Sequence, residues 1–117
     1  MLQVTNITRH TKLIDKGRVA RNPWTRLKGL IGVRHLAAGD GLLITRCKGV
    51  HCMFMSIPID VLYVNKQDQV VAIDEAMPPW AVGRVRRHSH YVLELPAGTA
   101  AQSGTGVGDQ LQVERRK

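Results

Sequence analysis

The sequence predicts a mainly β fold, a small antiparallel barrel or sandwich of about seven or eight strands with one or two short helices. Short runs rich in aliphatic and β-branched residues follow one another at spacings typical of an all-β domain. Turn-forming stretches such as 37–41 and 65–69 separate these runs. The 117 residues, 44% of them hydrophobic, fit a single globular domain over residues 1–117.

The predicted strands can be placed in order along the chain. Segments 2–7 and 12–15 alternate apolar and polar residues around the polar turn 8–11, which predicts an N-terminal hairpin. Pro58 precedes a predicted strand, at a position where the missing N–H of proline is tolerated. Pro78 cannot join a central strand, so the predicted strand before it ends there. Further strands are predicted at 42–45, 50–55, 59–65, 69–77, 91–95 and 110–114.

Two short helices are predicted. Asn22 is a good N-cap, and Pro23 suits the first helical position, so a helix is expected over 23–31 with one apolar face. The segment TAAQS at 99–103 predicts a second helix of one or two turns, which ends at Gly104.

The chain is basic, with 17 lysines and arginines against nine acidic residues and a net charge of +8. Such a charge favours non-specific attraction to polyanions but says little about fold. The basic segment 83–90, GRVRRHSH, lies between Trp80 and Tyr91, and such a combination of basic and aromatic residues is typical of surfaces that contact phosphates. This segment is either a weak nucleic-acid-binding surface or a solvated loop. Residues 114–117 are separately expected to form a basic tail. The candidate polyanion contacts are Trp80, Arg84, Arg86 and Arg87.

The sequence shows no apolar run long enough to span a membrane, and its first ten residues lack the pattern of a signal peptide. We therefore expect a cytoplasmic protein with no membrane span. In that compartment the two cysteines are expected to stay reduced. Oligomeric state cannot be predicted from these features.

Reactive groups are concentrated in the segment 47–64, CKGVHCMFMSIPIDVLYV. Thiolates and imidazoles are common ligands of zinc and copper, so Cys47, His51 and Cys52 raise the possibility of a metal- or thiol-dependent enzyme. Adjacent strand residues point to opposite faces, however, so His51 and Cys52 cannot both reach one ion from a regular strand. We therefore predict neither a metal nor a cofactor, and keep the enzyme only as an alternative.

Two carboxylates stand in strongly apolar surroundings, Asp60 in IPIDVLYV and Glu94 in VLELPAG. A buried carboxylate has to be paired, hydrogen-bonded or placed at the edge of a pocket. One interpretation is a structural network. The other, which we prefer, is a polar cleft of a non-catalytic binding module for a small molecule or a protein. The candidate residues of that cleft are Arg26, His51, Met55, Asp60 and Glu94.

The order of these motifs resembles a known prokaryotic family, the "domain of unknown function 192". The resemblance runs from about residue 20 to about residue 113, and its most specific part is the ordered combination of three motifs. These are RxxGL from Arg26 to Leu30, HxxxMxxPID from His51 to Asp60, and VLELPAG at 92–98. Gly41-Leu42-Leu43, Val70-Val71, Pro78 and Gly108-Asp109 also fit.

The chain departs from the family's common pattern at two places. Ile31 stands where many members have methionine, and Phe54 to Ile57 replace a Trp-Met-Lys-Asn-like core. It looks like the subset with a His-Thr-x-x-Met variant, in which Cys52 replaces the threonine. The resemblance implies a compact β-rich domain and no established catalytic activity.

Overall fold

The computed structural model describes residues 2–20, 37–45, 57–78 and 86–115. Over these ranges the chain forms seven strands and one short helix. They are β1 (Leu2–Asn6), β2 (Thr11–Ala20), β3 (Asp40–Thr45), β4 (Ile59–Val64), β5 (Val70–Met77), β6 (Tyr91–Pro96), α1 (Thr99–Ser103) and β7 (Leu111–Arg115). The predicted helix at 23–31 and the predicted strand at 50–55 lie outside the described residues.

All seven strands belong to one sheet in the order β5-β4-β6-β3-β2-β1-β7. The described pairs are antiparallel except for β2 with β3, which run parallel. The sheet curls into a half-barrel, and its two edge strands approach each other at one corner, where Gln69 and Gln110 form an isolated bridge. The mainly β prediction is confirmed, including the N-terminal hairpin of β1 and β2.

The inner face of the curled sheet holds the main hydrophobic core. Because side chains alternate along a strand, every strand contributes one set of residues to this face. Leu2, Ile14, Leu62, Leu93 and Leu111 are among the buried residues that meet there, and Ala100 of α1 packs with them. A second cluster, which includes Leu42, Val61, Tyr63 and Val92, is buried on the outer face of β3, β4 and β6.

The parallel pair of β2 and β3 depends on two small residues. Gly17 and Gly41 are register partners, and a Cβ at either position would lie 2.6 Å from a side-chain carbon of Ile14. Since Ile14 is fully buried, neither glycine can carry a side chain without displacing part of the core. Strand β2 extends to residue 20, well beyond the predicted strand 12–15.

The short helix agrees with its sequence prediction. It begins at Thr99 and ends at Ser103, and Gly104 follows with a φ of 69°, a left-handed conformation that glycine adopts without strain. The Gly104 N–H bonds back to the carbonyl groups of Ala100 and Ala101.

A buried polar network joins the β1–β2 turn to the α1–β7 loop. Asn6 donates to Thr105 Oγ1 at 2.9 Å and to Asp109 Oδ2 at 3.0 Å, and Arg9 and the Gly106 N–H donate to the same carboxylate oxygen. Burial alone would raise the pKa of Asp109. The hydrogen bonds from Asn6, Gly106 and Arg9, with the charge of Arg9, hold that pKa below its usual range. The network therefore fastens one end of the half-barrel through an ionised carboxylate.

Strand β7 includes two residues that were predicted to belong to the basic tail 114–117. Glu114 and Arg115 belong to β7, where Arg115 is the register partner of Leu2. Both residues are thus part of the sheet rather than of a basic tail beginning at 114.

Candidate ligand-binding site

Asp60 is a structural carboxylate. It is 1% exposed and accepts hydrogen bonds from three backbone N–H groups, those of Ala76 at 2.7 Å, Gly98 at 3.1 Å and Ala100 at 2.9 Å. The register between β4 and β5 shifts at this point, which leaves a bulge opposite Asp60, and Ala76 has a φ of 48°. The carboxylate thus stabilises the bulge of β5 and the start of α1 at once.

Glu94 lies on the opposite face of the sheet from Asp60. In the β4–β6 register Asp60 is paired with Leu95, whereas Glu94 is paired with Val61. Register partners share a face and neighbours alternate, so the two carboxylates point away from each other. They cannot line one cleft together, which corrects that part of the predicted site.

The environment of Glu94 is strongly apolar. The residue is 4% exposed, and its partners on the two adjacent strands are Leu42 and Val61. Its Oε2 atom has no hydrogen-bond partner within the described parts of the chain. Burial raises the pKa of Glu94 to about 7, so this carboxyl group changes charge near neutral pH.

The remaining predicted pocket and metal residues fall outside the described ranges. They are Arg26, Cys47, His51, Cys52 and Met55, and with them Trp80 and Arg84 of the predicted polyanion contacts. Among the described residues there is no group of three or more histidine, cysteine or acidic side chains that could hold a metal ion.

Arg86, one of the predicted polyanion contacts, is engaged within the fold. Its guanidinium group donates to Asp74 at 3.2 Å and lies 5.1 Å from the centre of the Tyr63 ring. Tyr63 in turn donates to the other carboxylate oxygen of Asp74 at 2.7 Å. Arg86 therefore holds the 86–90 turn against β5, while the neighbouring Arg87 is exposed.

The described residues also form a cavity that the sequence did not predict. Its volume is about 500 Å³, and its lining residues come from β3, β6 and β7 and from the two loops that carry Asp68 and His90. We call it the mouth cavity. It is lined by Leu43, Thr45, Asp68, His90, Tyr91, Val113 and Arg115.

Polar groups converge at one side of the mouth cavity. Tyr91 donates its hydroxyl to Asp68 Oδ1 at 2.9 Å. Burial, together with this hydrogen bond and the charge of Asp68, raises the pKa of Tyr91 well above its usual range, so its hydroxyl stays protonated. Arg115 makes no ion pair within the described residues, so its positive charge is available to a bound molecule.

A sequence signal for part of this cavity exists. In QLQVER, Leu111 and Val113 share a strand face with position 115, so alternation alone directs Arg115 towards the apolar side of β7. Asp68 carries no such signal, because it lies in the β4–β5 loop, which only the sheet topology brings near Tyr91.

The chain is similar to known proteins over most of its length. Residues 4–113 match the family described as "Uncharacterized ACR, COG1430", DUF192. A UPF0127 protein of Pyrococcus furiosus is 33% identical over 113 residues, which cover 94% of this chain and 97% of that protein.

Two solved structures have a similar fold. One is a protein of unknown function from Novosphingobium aromaticivorans, with a TM-score of 0.83 and 22% identity, covering 95% of this chain and 82% of that one. The other, from Sinorhizobium meliloti, bears a name that suggests a transcription regulator. Its TM-score is 0.79 and its identity 27%, covering 96% of this chain and 91% of that one. The family match and the Pyrococcus relative together establish that this chain belongs to the uncharacterised DUF192 (UPF0127) family.

Proposed function

We propose that this protein is a non-catalytic domain that binds a small amphipathic molecule in the mouth cavity. The observation that supports the proposal is the cavity itself. Its volume of about 500 Å³ lies within the range of small-molecule sites. Its lining combines apolar side chains with a few polar groups, which is the usual composition of such sites.

The lining favours a ligand with an apolar body and a negatively charged end. Leu43, Val113 and the ring of Tyr91 offer an apolar wall, and the guanidinium group of Arg115 offers a partner for a carboxylate. Asp68 accepts the Tyr91 hydroxyl and so orients it, and among the described residues Asp68 forms no ion pair with Arg115. A short aliphatic or aromatic carboxylic acid fits this arrangement.

This proposal keeps the binding module predicted from the sequence and changes the residues that form its pocket. The nucleic-acid alternative through Trp80, Arg84, Arg86 and Arg87 is weakened, because Arg86 is engaged with Asp74. The enzyme alternative through Cys47, His51 and Cys52 gains no support from the described residues. Cytoplasmic location stays a prediction. No helix in the described residues is long and apolar enough to cross a membrane.

Octanoate is a suitable first probe, with binding followed by the NMR signals of the methyl groups of Leu43 and Val113. We expect these signals to shift at millimolar octanoate in the wild-type protein. Val113→Trp fills the cavity and should weaken binding about tenfold or more. The matched control is Val107→Trp, because Val107 is 67% exposed and does not line the mouth cavity.

Two results would contradict the proposal. One is unchanged octanoate binding in the Val113→Trp variant, with the fold intact by circular dichroism. The other is a wild-type protein in which octanoate shifts neither methyl group. Comparing octanoate with octanol tests the charged end, since Arg115→Gln should weaken only the binding of the carboxylate.

A further inference from the structure

A second concave surface lies next to the mouth cavity, between the β4–β5 loop and the 86–90 turn. Its volume is about 460 Å³. Four basic side chains line it, together with the amide groups of Asn65 and Gln67. We call it the basic cleft, and its basic residues are Lys66, Arg87, His88 and His90.

Hydrogen bonds fix the backbone that presents these side chains on the 86–90 turn. The Ser89 N–H donates to the Arg86 carbonyl at 3.0 Å, and the Ser89 hydroxyl donates to the Tyr91 carbonyl at 3.1 Å. The His90 N–H donates to the Val64 carbonyl at 2.7 Å. With Arg86 paired to Asp74, the turn is held on both sides, so Arg87 and His88 project from a fixed support.

The facing wall is fixed in a similar way. Asn65 Oδ1 accepts hydrogen bonds from the N–H groups of Gln67 at 3.0 Å and Gln69 at 2.9 Å. This side-chain turn holds the loop closed while Lys66 stays exposed. Both walls of the basic cleft are thus preorganised, which lowers the entropic cost of binding.

The positive charges of the basic cleft are not compensated locally. No acidic residue lines the cleft, and Lys66, Arg87 and His88 make no ion pair within the described ranges. On β5, Asp74 is paired with Arg86 and accepts the Tyr63 hydroxyl, and on the β4–β5 loop Asp68 accepts the Tyr91 hydroxyl. A concave surface of one charge sign attracts counter-ions of the opposite sign.

We infer that the basic cleft is a binding site for the phosphate group of a phosphorylated small molecule. Arginine and lysine bind phosphate through charge-assisted hydrogen bonds, and the histidines and side-chain amides supply further donors. The cleft is compact, and among its lining residues in the described parts of the chain there is no tyrosine, tryptophan or phenylalanine on which nucleobases could stack. Those features fit one phosphate or pyrophosphate group better than a nucleic-acid backbone, which requires an extended basic groove.

His90 lines both the basic cleft and the mouth cavity. If the proposed function is correct, one ligand could place its apolar part in the mouth cavity and its phosphate in the cleft. The phosphate site itself does not depend on that function, and pyrophosphate alone can test it.

The test is a calorimetric titration of the full chain with pyrophosphate at low ionic strength. We expect binding to the wild-type protein and a loss of about tenfold or more in the double variant Lys66→Gln with Arg87→Gln. The matched control is Lys16→Gln with Arg18→Gln, two exposed residues of β2 that remove the same charge away from the cleft. The control variant should change the affinity for pyrophosphate less than about twofold, because solvent and salt screen the attraction between pyrophosphate and the charges of Lys16 and Arg18.

A second readout locates the site. In the wild-type protein, pyrophosphate should shift the amide NMR signals of Gln67 and Ser89, both of which line the cleft. Octanoate tested in parallel separates the two proposals, since loss of pyrophosphate binding with retained octanoate binding affects only the phosphate site.

Three outcomes would overturn the inference. Wild-type protein that fails to bind pyrophosphate at low salt is the first. Equal losses in the two double variants are the second, because only net charge would then matter. The third is a single-stranded oligonucleotide that binds more tightly than pyrophosphate and equally well to both double variants, which would indicate a dispersed polyanion surface.

Discussion

Glu94 is a single carboxyl group whose charge works against the stability of the fold. Its strand partners Leu42 and Val61 offer no hydrogen bonds from their side chains, and burial raises its pKa to about 7. In the unfolded chain the group titrates near its ordinary value of 4.5. Between these two values the native state binds a proton that the unfolded state has lost, so stability falls as pH rises.

We therefore predict that Glu94→Gln removes a pH dependence of stability. As pH rises from about 4.5 to about 7, the wild-type free energy of unfolding should fall relative to that of the variant. The full difference is about 3 kcal/mol, at about 1.4 kcal/mol per pH unit. Urea denaturation at a series of pH values measures it. The control is Glu75→Gln, a change at an exposed residue of β5, which should show no such trend. The prediction would be contradicted if the free energy of unfolding of wild type and of Glu94→Gln changed with pH in the same way.

The sequence could identify both unusual carboxylates but could not say how they are arranged. Asp60 and Glu94 each stand out as acidic residues in apolar strands, and alternation assigns each one a face within its own strand. Whether two strands place their residues on the same face depends on register, which is set by the whole sheet. The sequence therefore predicted polar burial correctly, while the shared cleft required information that only the pairing of β4 with β6 contains.

Helix α1 has only five residues, too few to be stable by itself. The N–H groups at its N-terminus need acceptors from outside the helix. The Asp60 carboxylate accepts hydrogen bonds from the N–H groups of Gly98 and Ala100. The same carboxylate bonds to Ala76, whose left-handed φ is uncommon for a residue other than glycine. Asp60 thus couples β4, β5 and α1.

Asp60→Asn should disrupt this coupling. The amide NH₂ group would face backbone donors, leaving at least one of the three N–H groups without an acceptor, at a cost on the order of 2–3 kcal/mol. Urea denaturation gives the total, and faster amide hydrogen exchange at Ala76, Gly98 and Ala100 locates it. Asp15→Asn is the control, because Asp15 is only partly buried and its side-chain contacts, to Gln3 and Lys12, are long. A loss no larger than in that control would contradict a structural role for Asp60.

Element boundaries follow local signals where those signals exist. The helix TAAQS was predicted because Gly98 and Gly104 flank it, and the structure gives the same bounds. Strand β2 was predicted too short, since Lys16 and Gly17 interrupt the apolar pattern. Residues 16–20 of β2 pair with the parallel strand β3, which lies more than 20 residues further along the chain. The local sequence of β2 therefore does not indicate this pairing.

At the scale of the whole molecule, strand order predicts which parts of the sheet open last. Strands β4 and β6 lie inside the sheet, and their side chains are buried apart from the partly buried Pro96. Strands β5 and β7 are at the two edges of the described sheet and meet only near Gln69 and Gln110. Stability is therefore expected to be greatest around β4 and β6.

Native-state hydrogen exchange tests this gradient. The amides of Leu62 and Leu93 should exchange only through global unfolding, and those of Val113 and Ile73 through smaller local openings. Measured opening free energies that are equal in edge and inner strands would contradict the prediction. The same topology explains why the mouth cavity escaped prediction, since its lining comes from three strands and two loops between residues 43 and 115.

The pairing of β1 with β7 has a consequence for how the chain acquires its structure. Leu2 lies opposite Arg115, so the pair joins two strands that are far apart along the chain. During synthesis β1 can form its hairpin with β2 early, but its other edge has no partner until β7 has been made. Such an unpaired edge can associate with other chains, and distant pairing folds slowly. The nascent protein is thus exposed to misassembly along this edge from the time the β1–β2 hairpin forms until β7 emerges from the ribosome.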